Sequence, residues 1–86
     1  MSGNSKIEDL RRRIDQLDQE ILRLVNERID RAKEVGALKS ESGGKAVYRP
    51  EREAQILHRL TEINSGPLRP AQLQTIFREV ISIARA

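Results

Sequence analysis

The chain of 86 residues contains no cysteine and a single histidine, His58. The lack of cysteine excludes disulfide bonds and thiolate metal sites, and one histidine cannot form a histidine-based metal site unaided. No apolar run approaches the ~20 residues that a membrane-spanning helix needs, and the N-terminus lacks the apolar segment of a secretory signal peptide. We therefore expect a cytoplasmic protein that binds no metal and does not associate with a membrane.

Aromatic residues are scarce as well, at 2% of the chain, with Tyr48 and Phe77 as the two present. Single-stranded nucleic acid is bound largely by stacking on aromatic side chains, so this composition argues against a nucleic-acid partner. Charged residues, in contrast, make up 34% of the chain, and twelve of the sixteen basic residues are arginine. Arginine binds carboxylates and phosphates through paired hydrogen bonds, so the composition favours an anionic partner.

The sequence predicts an all-α fold in a single domain over residues 1–86, with helices at about 5–41, 50–65 and 70–86. The first helix opens with a capping box, in which Ser5 is followed three residues later by Glu8. Pro50 and Pro70 suit the first turns of the other two helices, because a first-turn N–H has no partner within the helix. The segment SGGKA at 42–46 is typical of a connecting loop.

Apolar residues recur along the first helix with the spacing of a coiled coil, at positions 7, 10, 14, 17, 21, 24, 35 and 38. A helix of ~36 residues is about 54 Å long, whereas a compact chain of this size has a radius of gyration of about 12 Å. The first helix must therefore extend beyond its own domain, where two short helices cannot cover it. We expect an intertwined homodimer in which two long helices pack together.

Arg28 interrupts this apolar pattern at a position where the seven-residue spacing requires an aliphatic residue. At about 100° per residue, Arg28 and Lys39 point the same way, about 16 Å apart along the helix axis. Because an unpaired charge in a core costs several kcal/mol, these cations either pair with acids or line a wet cavity that receives an anion. A polar layer that sets the helix register is the alternative, and periodicity does not decide between them.

Arg11 points in another direction along the same helix and reaches such a cavity only from a second subunit. The alternative is that it belongs to a solvated face. Arg49, Arg52 and Glu53 gather at the start of the second helix, where the backbone N–H groups favour an anion. Ordinary complementation of the helix dipole by acidic residues explains that cluster equally well.

Four segments together resemble the all-helical class of chorismate mutases, and most closely the mutase domain that many bacteria fuse to prephenate dehydratase. The segments are LRRRIDQLDQEIL at 10–22, ERIDRAKEVGALK at 27–39, YRPEREAQIL at 48–57, and GPL followed by IFREVIS within 66–82. The resemblance implies an intertwined dimer of three-helix protomers. It also implies that the protein rearranges chorismate to prephenate without a cofactor, in phenylalanine and tyrosine biosynthesis.

Three catalytic roles follow by position from this resemblance. Arg28 would bind a substrate carboxylate. Lys39 would donate a hydrogen bond to the ether oxygen, which gains negative charge as the C–O bond lengthens. Glu53 would accept a hydrogen bond from the substrate hydroxyl.

Three further arginines complete the substrate-binding set that the resemblance implies. Arg11 would reach a carboxylate in the partner's site, and Arg52 would support the pocket or a carboxylate. Arg49 belongs to the same set, although some members of the family have Asp at that position. Another departure is Ala84, which stands where the family often has Ser.

Two other functions remain compatible with the sequence. An isochorismate pyruvate-lyase shares the fold and a similarly charged substrate, although it typically lacks an acid at the position of Glu53. A non-catalytic helical module for dimerisation or regulation would need no pocket. Incubation with each substrate separates the three functions.

Overall fold

A computed structural model of the protein describes residues 3–41 and 49–85. Over these residues the chain forms three helices and no strand: α1 at Gly3–Glu41, α2 at Pro50–Ile63 and α3 at Pro70–Ile83. The predicted all-α class with one long and two short helices is therefore confirmed. The predicted start of the first helix was wrong, because α1 begins at Gly3 and Ser5 lies within the helix instead of capping it. The loop expected at 42–46 and the last residue, Ala86, lie outside the described residues.

Helix α2 ends at Ile63, two residues before the predicted bound, because Asn64 organises the turn that follows. Its backbone N–H donates to the carbonyl oxygen of Leu60 at 3.0 Å, while its own backbone is extended. The Asn64 side chain accepts a hydrogen bond from the N–H of Gly66 at 3.1 Å and donates to the carbonyl oxygen of Leu68 at 2.7 Å. The side chain thus replaces backbone partners that a continuing helix would supply.

Helix α3 begins at Pro70 with Arg69 as its N-cap residue. The Arg69 N–H donates to Oε1 of Gln72 at 3.1 Å, and the Arg69 carbonyl oxygen accepts from the N–H of Leu73 at 2.9 Å. The helix ends at Ile83, three residues before the predicted bound, where the backbone of Ala84 is extended. Helices α2 and α3 therefore both begin at the predicted prolines, and both end earlier than the apolar pattern suggests.

The described residues divide into two compact units, with the boundary inside α1 after residue 30. In the C-terminal unit, residues 31–41 and 49–85, helices α2 and α3 pack together. Its buried apolar side chains are Ala32, Leu73 and Ile81, and Ile81 is 1% exposed. This small core holds the start of α2 against the end of α3.

The N-terminal unit, residues 3–30, is a single length of α1 whose apolar side chains remain in water. We call six of them the heptad stripe. Their exposed fractions lie between 42% and 63%: Ile7, Leu10, Ile14, Leu17, Ile21 and Leu24. Ion pairs within the helix, such as Arg11 with Glu8, are exposed and contribute little to stability. Nothing within this unit covers the stripe.

Across the parts of the chain that the structure describes, no helix is both long enough and apolar enough to cross a membrane. The prediction of a single domain over 1–86 stays a prediction.

Replacement of Ile81 by alanine should lower the free energy of unfolding by about 2–5 kcal/mol, because the side chain is buried and leaves a cavity. The matched control is Ile83→Ala, two residues further along α3, where the side chain is 56% exposed and its loss should cost much less. Urea unfolding followed by circular dichroism measures both. Equal losses for the two variants would contradict the packing of α3 described here.

Candidate active site

Three of the residues expected at the site lie on α1. Arg28 and Lys39 are both half-buried, whereas Arg11 is exposed and paired with Glu8 at 2.9 Å. Helix α1 is continuous from Gly3 to Glu41, so the premise that Arg28 and Lys39 lie on one unbroken helix holds. Partial burial of these two long side chains is shared by an inward-facing charge and by a snorkelling side chain, whose stem is buried while its charged end stays in water.

The other three expected residues lie at the start of α2. The carbonyl oxygen of Arg49 accepts from the N–H groups of Arg52 and Glu53, at 3.1 and 3.2 Å, which closes the first turn of the helix. The side chains of Arg49 and Arg52 are exposed. The structure therefore brings Arg49, Arg52 and Glu53 together on one turn, with two cations at the surface.

Glu51 is the acid of this turn that complements the helix N-terminus. Its side chain is 64% exposed and lies 3.4 Å from the Arg49 guanidinium. A hydrogen bond from its own backbone N–H lowers the pKa of the Glu51 carboxyl, slight burial opposes this, and Arg49 lowers the pKa further. Complementation of the helix dipole, the alternative raised from the sequence, is thus performed by Glu51.

Glu53 differs from Glu51 in its environment. Its side chain is only 20% exposed and forms an ion pair with Arg85, which lies just beyond the end of α3. The two residues are 32 positions apart in the sequence. Helix packing thus turns the Glu53 carboxylate away from bulk water, towards the end of α3.

Sequence reasoning did not identify Arg85. A usable signal was its position four residues after Ile81, which places it on the buried face of a continuing helix. That signal was weak because α3 ends at Ile83, before Arg85 is reached. The contact depends on how α2 and α3 pack, which periodicity does not specify.

The C-terminal unit offers the cations of Lys39, Arg49 and Arg52 and the mostly buried carboxylate of Glu53. Among the described residues, no group of three or more His, Cys, Asp or Glu side chains is placed to hold a metal ion. Guanidinium and ammonium groups bind carboxylates and stabilise negative charge that develops during a reaction. A partly enclosed carboxylate accepts a hydrogen bond from a hydroxyl. These groups suit a ligand that carries both carboxylates and a hydroxyl.

Comparison with known proteins gives one consistent family. The family model described as "Chorismate mutase type II" matches residues 10–86, a range that contains all six expected site residues. The bifunctional chorismate mutase/prephenate dehydratase of Neisseria gonorrhoeae is 50% identical over 72 residues, which are 84% of this chain and 19% of that protein. The enzyme of the same name from Stutzerimonas stutzeri is 44% identical, over 95% of this chain and 24% of its own length. The chain therefore spans about a fifth to a quarter of these curated relatives.

Solved structures show the same similarity. Two structures of chorismate mutase from Thermus thermophilus, forms II and I, are each 35% identical to this chain and cover 92% of it. Their TM-scores are 0.85 and 0.86, and the matches cover 89% and 98% of those chains. The similarity thus extends over nearly the whole length of the chains in those structures.

Proposed function

The chain belongs to the chorismate mutase type II family, and we propose on that basis that it converts chorismate to prephenate in the biosynthesis of phenylalanine and tyrosine. The observation that carries the proposal is the family match over residues 10–86, which includes all the expected site residues. The partial burial of Arg28, Lys39 and Glu53 supports it, because a solvated surface would leave such side chains in water.

The proposed reaction is a Claisen rearrangement, in which the ether C–O bond of chorismate breaks while a C–C bond forms in the same molecule. It requires no nucleophile and no proton transfer, so the enzyme contributes by holding a reactive conformer and by stabilising charge. Arg28 binds one substrate carboxylate through paired hydrogen bonds. Lys39 donates to the ether oxygen, and Glu53 accepts from the substrate hydroxyl.

The remaining arginines have supporting roles in this proposal. Arg52 supports the pocket or a carboxylate from the first turn of α2, and Arg49 adds positive charge at the same turn. Arg11 reaches a carboxylate in the site of a second subunit. All three side chains are exposed in the single chain, and those of Arg11 and Arg49 pair there with Glu8 and Glu51.

The proposed functional form is an intertwined homodimer. The half-exposed heptad stripe of α1 supports this, because six large aliphatic side chains in water are stabilised when a second copy covers them. A cytoplasmic location also remains part of the proposal.

The lyase and the non-catalytic module are not favoured, because the relatives and solved structures that match the chain carry the name chorismate mutase. Glu53 supports the same choice, since the lyases of this fold typically lack an acid at that position.

The function is tested by incubating the purified chain with chorismate and, separately, with isochorismate. We expect chorismate absorbance to fall as prephenate accumulates, and no pyruvate to be released from isochorismate. Pyruvate release without prephenate would establish the lyase, and a folded dimer inert towards both substrates would establish the non-catalytic module.

Lys39→Ala should lower kcat roughly 10²-fold or more, because the variant loses the donor to the oxygen that becomes negative in the transition state. Lys33→Ala is the matched control, since Lys33 is an exposed lysine on the same helix and its loss should leave kcat unchanged. Steady-state kinetics on both variants measures this, with circular dichroism to verify folding. A near-normal rate for Lys39→Ala would remove Lys39 from the mechanism.

Leu17→Asp should shift the protein from dimer to monomer, because it places a charge within the heptad stripe. Gln16→Asp introduces the same carboxylate at an exposed neighbouring position outside the stripe and should leave the dimer intact. Sedimentation velocity measures the mass of both. A monomeric unchanged chain, or a Leu17→Asp variant that stays dimeric, would disprove the role of the stripe.

A further inference from the structure

The ion pair between Arg85 and Glu53 differs from the other ion pairs described in this chain. The pairs made by Arg11, Arg12, Arg23, Arg31, Arg49 and His58 join residues two to four positions apart, with both side chains exposed. Arg85 instead reaches across 32 positions to a carboxylate that is 20% exposed. Exposed pairs contribute little, and in this pair the carboxylate is mostly buried while the Arg85 side chain is 43% exposed.

Glu51 shows what a carboxylate does on the same turn without such a partner. Two residues earlier on α2, it lies in solvent beside the Arg49 guanidinium. Both acids are in the first turn, so the helix N-terminus favours negative charge at each of them. Within this turn, the pairing with Arg85 distinguishes the acid that lies inward from the acid that lies in water.

The geometry of the pair leaves Glu53 able to accept a further hydrogen bond. Arg85 donates from Nη1 to Oε2 of Glu53. A carboxylate has two oxygens with about four acceptor positions, so Oε1 remains the oxygen suited to a ligand hydroxyl. One oxygen thus accepts from Arg85, and the other retains the capacity to accept from a further donor.

We propose that Arg85 is a positioning residue of the mutase site, which orients the Glu53 carboxylate through Oε2 so that Oε1 accepts from the substrate hydroxyl. The inference rests on the proposed function, because it assigns Glu53 to the substrate hydroxyl. In this proposal Arg85 acts on catalysis through Glu53.

A double-mutant cycle tests this, with kcat and KM for chorismate measured on the unchanged chain, Arg85→Ala, Glu53→Gln and the double variant. We expect Arg85→Ala to lower kcat/KM roughly tenfold, towards the lower end of what a hydrogen bond to a charged group contributes. In the Glu53→Gln background the same substitution should have almost no further effect. Arg85→Lys should restore part of the loss, because it returns the positive charge.

Arg78→Ala is the matched control, since Arg78 is an exposed arginine on α3 whose side chain contacts Gln74 at 3.4 Å. It should leave kcat/KM unchanged. If Arg85→Ala does not fold, Arg85→Gln replaces it in the cycle, because it keeps a hydrogen-bonding side chain without the charge. All rates are measured well below the unfolding temperature of each variant.

Each possible result of these measurements has a different consequence for the proposal. A loss of thermal stability in Arg85→Ala with unchanged kcat and KM would overturn the proposal and make the pair a structural link between α2 and α3. An equal loss in both Glu53 backgrounds would also overturn it, because Arg85 would then act on the substrate directly. If the unchanged chain does not convert chorismate, the proposed function fails and this inference fails with it. If the chain converts chorismate but the effects of the Arg85 and Glu53 substitutions on kcat/KM simply add, this inference alone is disproved.

Discussion

The heptad stripe of α1 is the constraint on which the account of this protein depends. It places large aliphatic side chains about half in water over residues 3–30, where the unit contains a single helix and no core. Burial of such side chains is the main favourable contribution to folding and association. In the homodimer we propose, a second copy covers the stripe and satisfies this constraint.

The charged residues expected at the site differ in how deeply they are buried. Arg28 and Lys39 are half-buried and Glu53 is mostly buried, whereas the arginines at 49 and 52 remain exposed. The rearrangement we propose for a dicarboxylate substrate requires only orientation and electrostatic stabilisation. In the proposed mechanism, the side chains of the site neither attack the substrate nor abstract a proton.

Much of the fold followed from the sequence because its signals are local. Pro50 and Pro70 mark the starts of α2 and α3, and the spacing from Ile7 to Leu24 specifies one face of α1. The helix ends were less predictable, because Asn64 stops α2 through side-chain hydrogen bonds and not through a break in the apolar pattern. The site residues were proposed from a family resemblance, and their roles stay predictions. Arg85 was missed because its contact with Glu53 is made by the packing of two helices.

Mixing two inactive variants tests the shared site most directly. Arg11→Ala and Arg28→Ala should each lose most activity as homodimers, because every site then lacks one arginine. When the two are unfolded together and refolded at equal amounts, half of the dimers are mixed and each mixed dimer has one complete site. The account predicts recovery of about a quarter of the normal activity in this mixture. No recovery from two correctly folded dimeric variants would contradict the claim that the two arginines reach one substrate from different subunits.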